Sequence, residues 1–271
     1  MLALFAPLFV IGLLLLGGAR PAAAEAARFV ALDYDVRLNG ILVASVEVDA
    51  ELSSGAYSLD TRMRTRTLMD LILGFDSRAH AQGRFGGGIV MPEQHSDNNV
   101  WMGRPRRVHM VYGPDGPSEV EVSPSPADEG RDDVSADLRR GTFDPLSAAV
   151  QISLWADKNE ICTSTAKVFD GRRRYDLVFS PGEVADTAIG TDINCAGKLE
   201  RRAGRSAESW LPRSHAPREF QLWLTRIAPD LPPFPSRMRG FSGIGLVVAE
   251  LASHTREPRA QPIFEDEPAS E

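Results

Sequence analysis

The chain has 271 residues, 30 of them basic and 37 acidic, for a formal net charge of −7. That acidic balance excludes non-specific nucleic-acid binding as a working class, because phosphate backbones demand a basic surface. With 43% hydrophobic residues the chain can bury a sizeable core, and one β-rich domain is the default at this length.

Met1 to Gly18 are almost wholly apolar; Gly17, Gly18 and Pro21 interrupt the run, and Ala22-Ala23-Ala24 supplies the small residues a signal peptidase needs. The expectation is export to the periplasm with cleavage after Ala24. The alternative is an uncleaved anchor, since about 18 apolar residues is near the lower limit for spanning a bilayer. No stable membrane span is expected after cleavage, and no cysteine follows the run to carry a lipid. Two cysteines, Cys162 and Cys195, in an exported chain point to one disulfide. They cannot make a tetrahedral zinc site unaided, and no His-x-x-x-His or Cys-x-x-Cys spacing supplies further ligands, so neither a metal nor another cofactor is expected. The expected layout is a signal peptide over 1–24, a single β-rich domain over 25–256 and a disordered acidic tail over 257–271.

Val30, Leu32, Tyr34, Val36 and Leu38 alternate with polar residues, as do Leu42, Ala44, Val46, Val48, Ala50 and Leu52. Period two means strands with one wet face. Between them, a two-residue Asn39-Gly40 turn would oppose residues of unlike parity. A three-residue loop, Leu38-Asn39-Gly40 with Gly40 in a left-handed bulge, pairs Val36 with Leu42, Tyr34 with Ala44 and Leu32 with Val46. In the next strand Tyr57, Leu59 and Met63 oppose Arg62, Arg64 and Arg66, a row that reads as a solvated face before it reads as a ligand site. Leu68 to Leu73 predicts one short helix capped by Gly74. Strands follow over Asp76 to Arg84, Ile89 to Asn98, Arg106 to Tyr112 and Ser118 to Ser123, so the topology is a meander. Pro124 to Asp137, poor in apolar residues, predicts an exposed loop.

Asp144-Pro145 is a helix start, with Leu146, Ala149, Val150, Ser153 and Leu154 tracing one face. Asp170-Gly171 then fits a two-residue turn that sets Ala166 opposite Tyr175, Ser164 opposite Leu177 and Cys162 opposite Phe179, with Cys162, Ala166 and Tyr175 inward and Lys167 and Arg174 outside. Arg172, Arg173 and Arg174 at this turn are a candidate grip for an anionic headgroup or phosphate; the alternative is a solvated turn that resists edge aggregation. Further strands are expected over Ile193 to Arg201, Phe220 to Arg226 and Ile244 to Ser253, separated by a hydrophilic insertion, Arg202 to Pro217, and a proline-rich bend, Pro229 to Pro235.

No catalytic set emerges. Gly240-Phe241-Ser242-Gly243 lacks the second glycine of a nucleophile elbow, because position 244 is isoleucine. Gly197-Lys198 is followed by Leu199 and is no phosphate loop. His80, His95, His109, His215 and His254 are scattered, and Asp128, Glu129, Asp132 and Asp133 lack calcium-loop spacing.

Tyr34-Asp35-Val36 with Asn39-Gly40, the Asp144-Pro145-Leu146-Ser147-Ala148 helix start, Val168-Phe169-Asp170-Gly171-Arg172-Arg173-Arg174-Tyr175 and the two cysteines together resemble a bacterial envelope family of domains of unknown function, family 3108. The resemblance spans roughly Ala31 to Ser253. It implies a periplasmic β-rich domain whose shape is similar to the half-open barrels of the lipoprotein carriers LolA and LolB. The expected fold is mainly β: a strongly curved antiparallel meander wrapped around one or two short helices. The expected function is non-enzymatic binding of a lipid or other apolar envelope component. An assembly factor that binds another envelope protein through a sheet edge is the alternative, and an enzyme acting on envelope glycans the third.

Overall fold

The computed structural model describes residues 27–66, 74–101, 103–182, 193–204, 218–260 and 263. The signal segment, the Leu68 to Leu73 helix and most of the Arg202 to Pro217 insertion lie outside the described residues. Seven strands come first: β1 (Arg28–Leu38), β2 (Ile41–Ser53), β3 (Ala56–Thr65), β4 (Asp76–Gly86), β5 (Ile89–Trp101), β6 (Arg104–Gly113) and β7 (Gly116–Ser123). Two helices follow, α1 (Ala136–Arg139) and α2 (Pro145–Asp157). Six strands complete the chain: β8 (Thr165–Phe169), β9 (Arg174–Pro181), β10 (Ile193–Ala203), β11 (Glu219–Thr225), β12 (Phe234–Ser242) and β13 (Gly245–Thr255).

The thirteen strands among the described residues form one antiparallel sheet in the order β7-β6-β5-β4-β3-β2-β1-β13-β12-β11-β10-β9-β8. Two meanders are thus joined where the first strand pairs with the last. The sheet curves around α2 without closing, since its edges β7 and β8 do not pair with each other. Segment 124–143 fills the space between them. Gly141 N donates to Asp115 O in the β6–β7 turn, while Phe143 N donates to Lys167 O and Phe143 O accepts from Phe169 N, which covers the free side of β8. Val134 is buried with Val108, Met110 and Phe169. The expected exposed loop over Pro124 to Asp137 is found, mostly exposed, with one exception: Val134 is buried and docks the otherwise polar segment.

Helix α2 starts as predicted. Asp144 Oδ1 accepts from Leu146 N and Ser147 N, both at 2.9 Å, and Pro145 takes the first helical position, where no amide donor is needed. The buried positions, Ser147, Ala148, Val150, Gln151, Ile152, Ser153 and Ala156, spread around the helix instead of following the single predicted stripe. A curved sheet encloses the helix from several sides, so a one-face pattern was the wrong template. One side joins Leu32, Leu52, Tyr57, Leu59, Val90, Leu231 and Phe234; another joins Ile161, Phe179, Leu222 and Leu224. Gln151 holds the β4–β5 turn to the helix, accepting from Val90 N at 2.8 Å and donating to Gly88 O at 2.9 Å. Cys162, in a 3-10 turn just before β8, is disulfide-bonded to Cys195 on β10, with Cα atoms 5.2 Å apart. Closing a loop of that length stabilises by about 3 to 4 kcal/mol in the chain-entropy model.

Two hairpins differ from expectation in register. Asn39 (φ 49°) and Gly40 (φ 85°) form a two-residue turn that pairs Leu38 with Ile41, and a bulge beyond Arg37 then sets Val36 opposite Ala44 and Tyr34 opposite Val46. The bulge that keeps like parities together sits in the strand, not in the turn. In the β8–β9 hairpin, Ala166 faces Leu177 and Val168 faces Tyr175, so the loop has four residues, 170–173. Asp170 Oδ1 accepts from Arg172 N and Arg173 N, and this side-chain turn replaces the tighter one. Strand β12 runs through what the sequence shows as a proline-rich bend and a glycine-rich stretch; Pro235 is accommodated where the β11–β12 register shifts. Past Glu257, where a tail was expected, Arg259 pairs with Asp33 and Asp49 at 2.7 Å each, and Ile263 is buried.

Replacing Asp144 with alanine leaves two helix amides and the Ser147 hydroxyl without their buried acceptor, so it should cost about 2 to 4 kcal/mol. Urea denaturation of wild type and Asp144→Ala measures this; a loss below about 0.5 kcal/mol, the usual range for a surface change, would show that the carboxylate does not anchor α2.

Candidate functional site

Three features could carry function: a buried polar cluster, the arginine hairpin and the apolar inner wall of the sheet. In the cluster, Ser147 Oγ donates to Asp144 Oδ2, the Tyr57 hydroxyl lies 2.7 Å from Ser147 Oγ, and His95 Nδ1 lies 3.3 Å from Asp144 Oδ1. Burial, with the Asp144 charge adding to it, holds the Tyr57 hydroxyl protonated far above the usual phenol range. Serine, histidine and aspartate are the residues of a hydrolase triad, but here the serine meets the carboxylate instead of the imidazole. None of the four side chains is more than 3% exposed, so no substrate can reach the hydroxyl. The cluster is a structural bolt between α2, β3 and β5. Only Asp144 was legible in advance; Tyr57 and His95 gave no local signal.

The arginine hairpin is also largely internal. Arg172 is buried, 3.2 Å from Glu129, and donates to Ser123 O at 2.9 Å and Pro124 O at 3.2 Å. Arg174, expected outside, is buried as well, donating to Leu138 O at 3.0 Å and to Asp176 Oδ1 at 2.6 Å. Arg173 alone is exposed, and it pairs with Asp170 at 2.7 Å. Glu129 gathers Arg106 and Arg131 besides Arg172. Arg172 and Arg174 therefore tie segment 124–143 to the β8 edge, and Arg172, Arg173 and Arg174 present no shared exposed anion site.

The inner wall is different in kind. Register places Ala44, Val36, Ala249 and Met238 in one row across β2, β1, β13 and β12, with Met63, Val46, Tyr34 and Leu251 in the next row. Tyr34 and Leu251 pack on the core beneath α2, which fixes these rows as inward. Helix α2 packs mainly on β4, β5 and β8, away from this part of the wall. Val36, Val46, Met63, Met238, Val247 and Ala249 consequently stay only partly buried. The alternation was legible in the sequence for β1 and β2; the incomplete cover was not. A separate depression of about 150 Å³, lined in part by Asp49, Asp60 and Arg259, is smaller than the roughly 300 to 1,000 Å³ of ordinary ligand pockets.

Asp176 gives the hairpin a pH signature. Burial opposes its ionisation, but Arg174 and Arg202 outweigh burial and hold the carboxyl below its usual range. A carboxyl depressed by folding stabilises fully above its unfolded pKa of about 3.9 and loses that contribution as pH falls through the folded value. The stability advantage of wild type over Asp176→Asn, measured by urea midpoints, should therefore shrink on acidification below about pH 4. A constant difference through that window would contradict the pairing.

Comparison with known proteins places the chain in a family. No curated protein matches the sequence. Among solved structures, the 2.0 Å structure of the hypothetical protein CT021 from Chlamydia trachomatis aligns over 90% of this chain and 94% of that chain, with 7% identity and a TM-score of 0.33. The family model described as "Protein of unknown function (DUF3108)" matches residues 33–251, which run from within β1 to within β13. The chain thus belongs to the DUF3108 family of proteins of unknown function.

Proposed function

We propose that the protein is an exported, non-enzymatic carrier or receptor for a lipid or similar apolar component of the bacterial envelope, held against the inner wall formed by β12, β13, β1, β2 and the end of β3. The observation that carries this is the incomplete cover of Val36, Val46, Met63, Met238, Val247 and Ala249. Leaving six apolar side chains part-exposed on a concave face forgoes stabilisation that a bound acyl chain would restore, at about 25 cal/mol per Å² covered. The disulfide and the apolar N-terminal run support an oxidising compartment such as the periplasm. The buried Ser147 and Asp144 support a non-enzymatic role. An assembly factor that binds through a sheet edge would have to use β7, because Phe143 lies along the free side of β8.

Native mass spectrometry of protein purified from its envelope, with solvent extraction of the same sample, tests the proposal. The wild type should carry an extractable apolar molecule. Ala249→Trp, which fills the wall, should lower the bound fraction roughly tenfold without lowering the melting temperature by more than a few degrees. Wild-type protein that is consistently empty would overturn the proposal.

A further inference from the structure

Two neighbouring hairpin tips project large apolar side chains at one end of the sheet. Ile41, in the first position of β2, is 66% exposed, and at the β12–β13 turn Phe241 is 71% and Ile244 43% exposed. The tips are bolted together: Asn39 N donates to Leu246 O at 2.8 Å, Asn39 Oδ1 accepts from Leu246 N at 2.9 Å, and Asn39 Nδ2 donates to Ile244 O at 3.4 Å. Three exposed apolar groups thus stand on one braced end instead of on separate loops.

The charge around this end runs against that of the whole molecule. Residues 36–46 and 231–249, which contain both tips, include Arg37, Arg237 and Arg239 and no aspartate or glutamate, in a chain with a net charge of −7. Arg37 and Arg239 lie in one cross-strand row, each opposite Val248 of β13, and Arg239 is exposed. The nearest strand carboxylates, Asp35 and Glu250, lie further from the tips and pair with Arg37 at 2.7 Å and Arg237 at 3.1 Å. Arg239 is two residues from Phe241, about 7 Å along a strand. That offset matches the roughly 5 to 10 Å to which apolar groups of surface-bound proteins sink while their cations stay among the headgroups. A projecting tip also suits the yielding interior of a bilayer better than a rigid protein, which would have to supply a matching pocket.

We infer that the joined β1–β2 and β12–β13 tips insert shallowly into an anionic lipid bilayer, with Ile41, Phe241 and Ile244 in the acyl region and Arg37 and Arg239 at the headgroups. The inference stands on the tips and their charge, and it holds whether or not the inner wall carries a ligand. If both proposals hold, the part-covered rows ending at Leu38 and Val247 open beside the membrane-facing end.

Vesicle flotation of the purified protein tests it, with phosphatidylglycerol-rich and pure phosphatidylcholine vesicles compared at low and high salt. The wild type should float with the anionic vesicles, less at high salt and less with phosphatidylcholine. The triple variant Ile41→Ser/Phe241→Ser/Ile244→Ser should lose binding roughly tenfold or more while keeping its melting temperature. Arg37→Gln/Arg239→Gln should remove the preference for anionic vesicles. Wild-type protein that does not float would overturn the inference, as would a triple variant that floats as well as wild type, the result expected if a retained N-terminal anchor were responsible. A dimer seen by sedimentation and broken by Phe241→Ser, with no flotation, would assign the tips to a second copy instead.

Discussion

A carboxylate buried at the start of a helix organises this molecule. Stripping Asp144 of water would cost several kcal/mol if it were left unpaired, so it is tolerable only where donors converge. The first turn of α2 supplies two amides to Oδ1 and the Ser147 hydroxyl to Oδ2, Tyr57 on β3 bonds that hydroxyl, and the His95 ring on β5 lies beside Oδ1. The carboxylate's hydrogen bonds thus come from the first turn of α2, and the Tyr57–Ser147 hydrogen bond ties that turn to β3. Helix α2 packs mainly on β4, β5 and β8, away from the inner wall of β12, β13, β1 and β2. The incomplete cover of that wall goes with the position of the helix on the other side of the curve.

The second constraint is the pair of open edges. A thirteen-stranded sheet that curls without closing exposes two rows of backbone groups, a standing invitation to aggregation. On the β8 side the polar segment 124–143 answers it by docking through Val134 and by lending Glu129 and the Leu138 carbonyl to Arg172 and Arg174. Phe143 continues this cover along β8. The arginine hairpin thereby holds segment 124–143 against the β8 edge, and the disulfide ties the turn before β8 to β10 on the same side.

Much of the fold was legible because period-two alternation survives in most strands and Asp144-Pro145 is a local signal for a helix start. Registers were not. The bulge beyond Arg37 and the side-chain turn at Asp170 change which residues face each other without changing the alternation that revealed the strands. Strand β12 was hidden by Pro235 and Gly240, which depress strand propensity although the neighbouring strands supply the pairing. The burial of Arg172 depends on Glu129, more than forty positions earlier, and no spacing rule links the two. Likewise the alternation of Val36, Val46 and Met63 announced a wall, but only the position of α2 decides that this part of it stays uncovered.

The proposed occupant of the wall beyond α2 is an apolar chain. Methyl-resolved NMR of the protein titrated with a lysophospholipid tests it most directly, because each methyl reports its own surroundings. The account predicts intermolecular contacts and saturable shifts at Val36, Met63, Met238, Val247 and Ala249, with Val90 and Val150 in the filled core unmoved. Shifts confined to Ile41 and Ile244 at the hairpin tips, or no saturable shift at the wall, would contradict it.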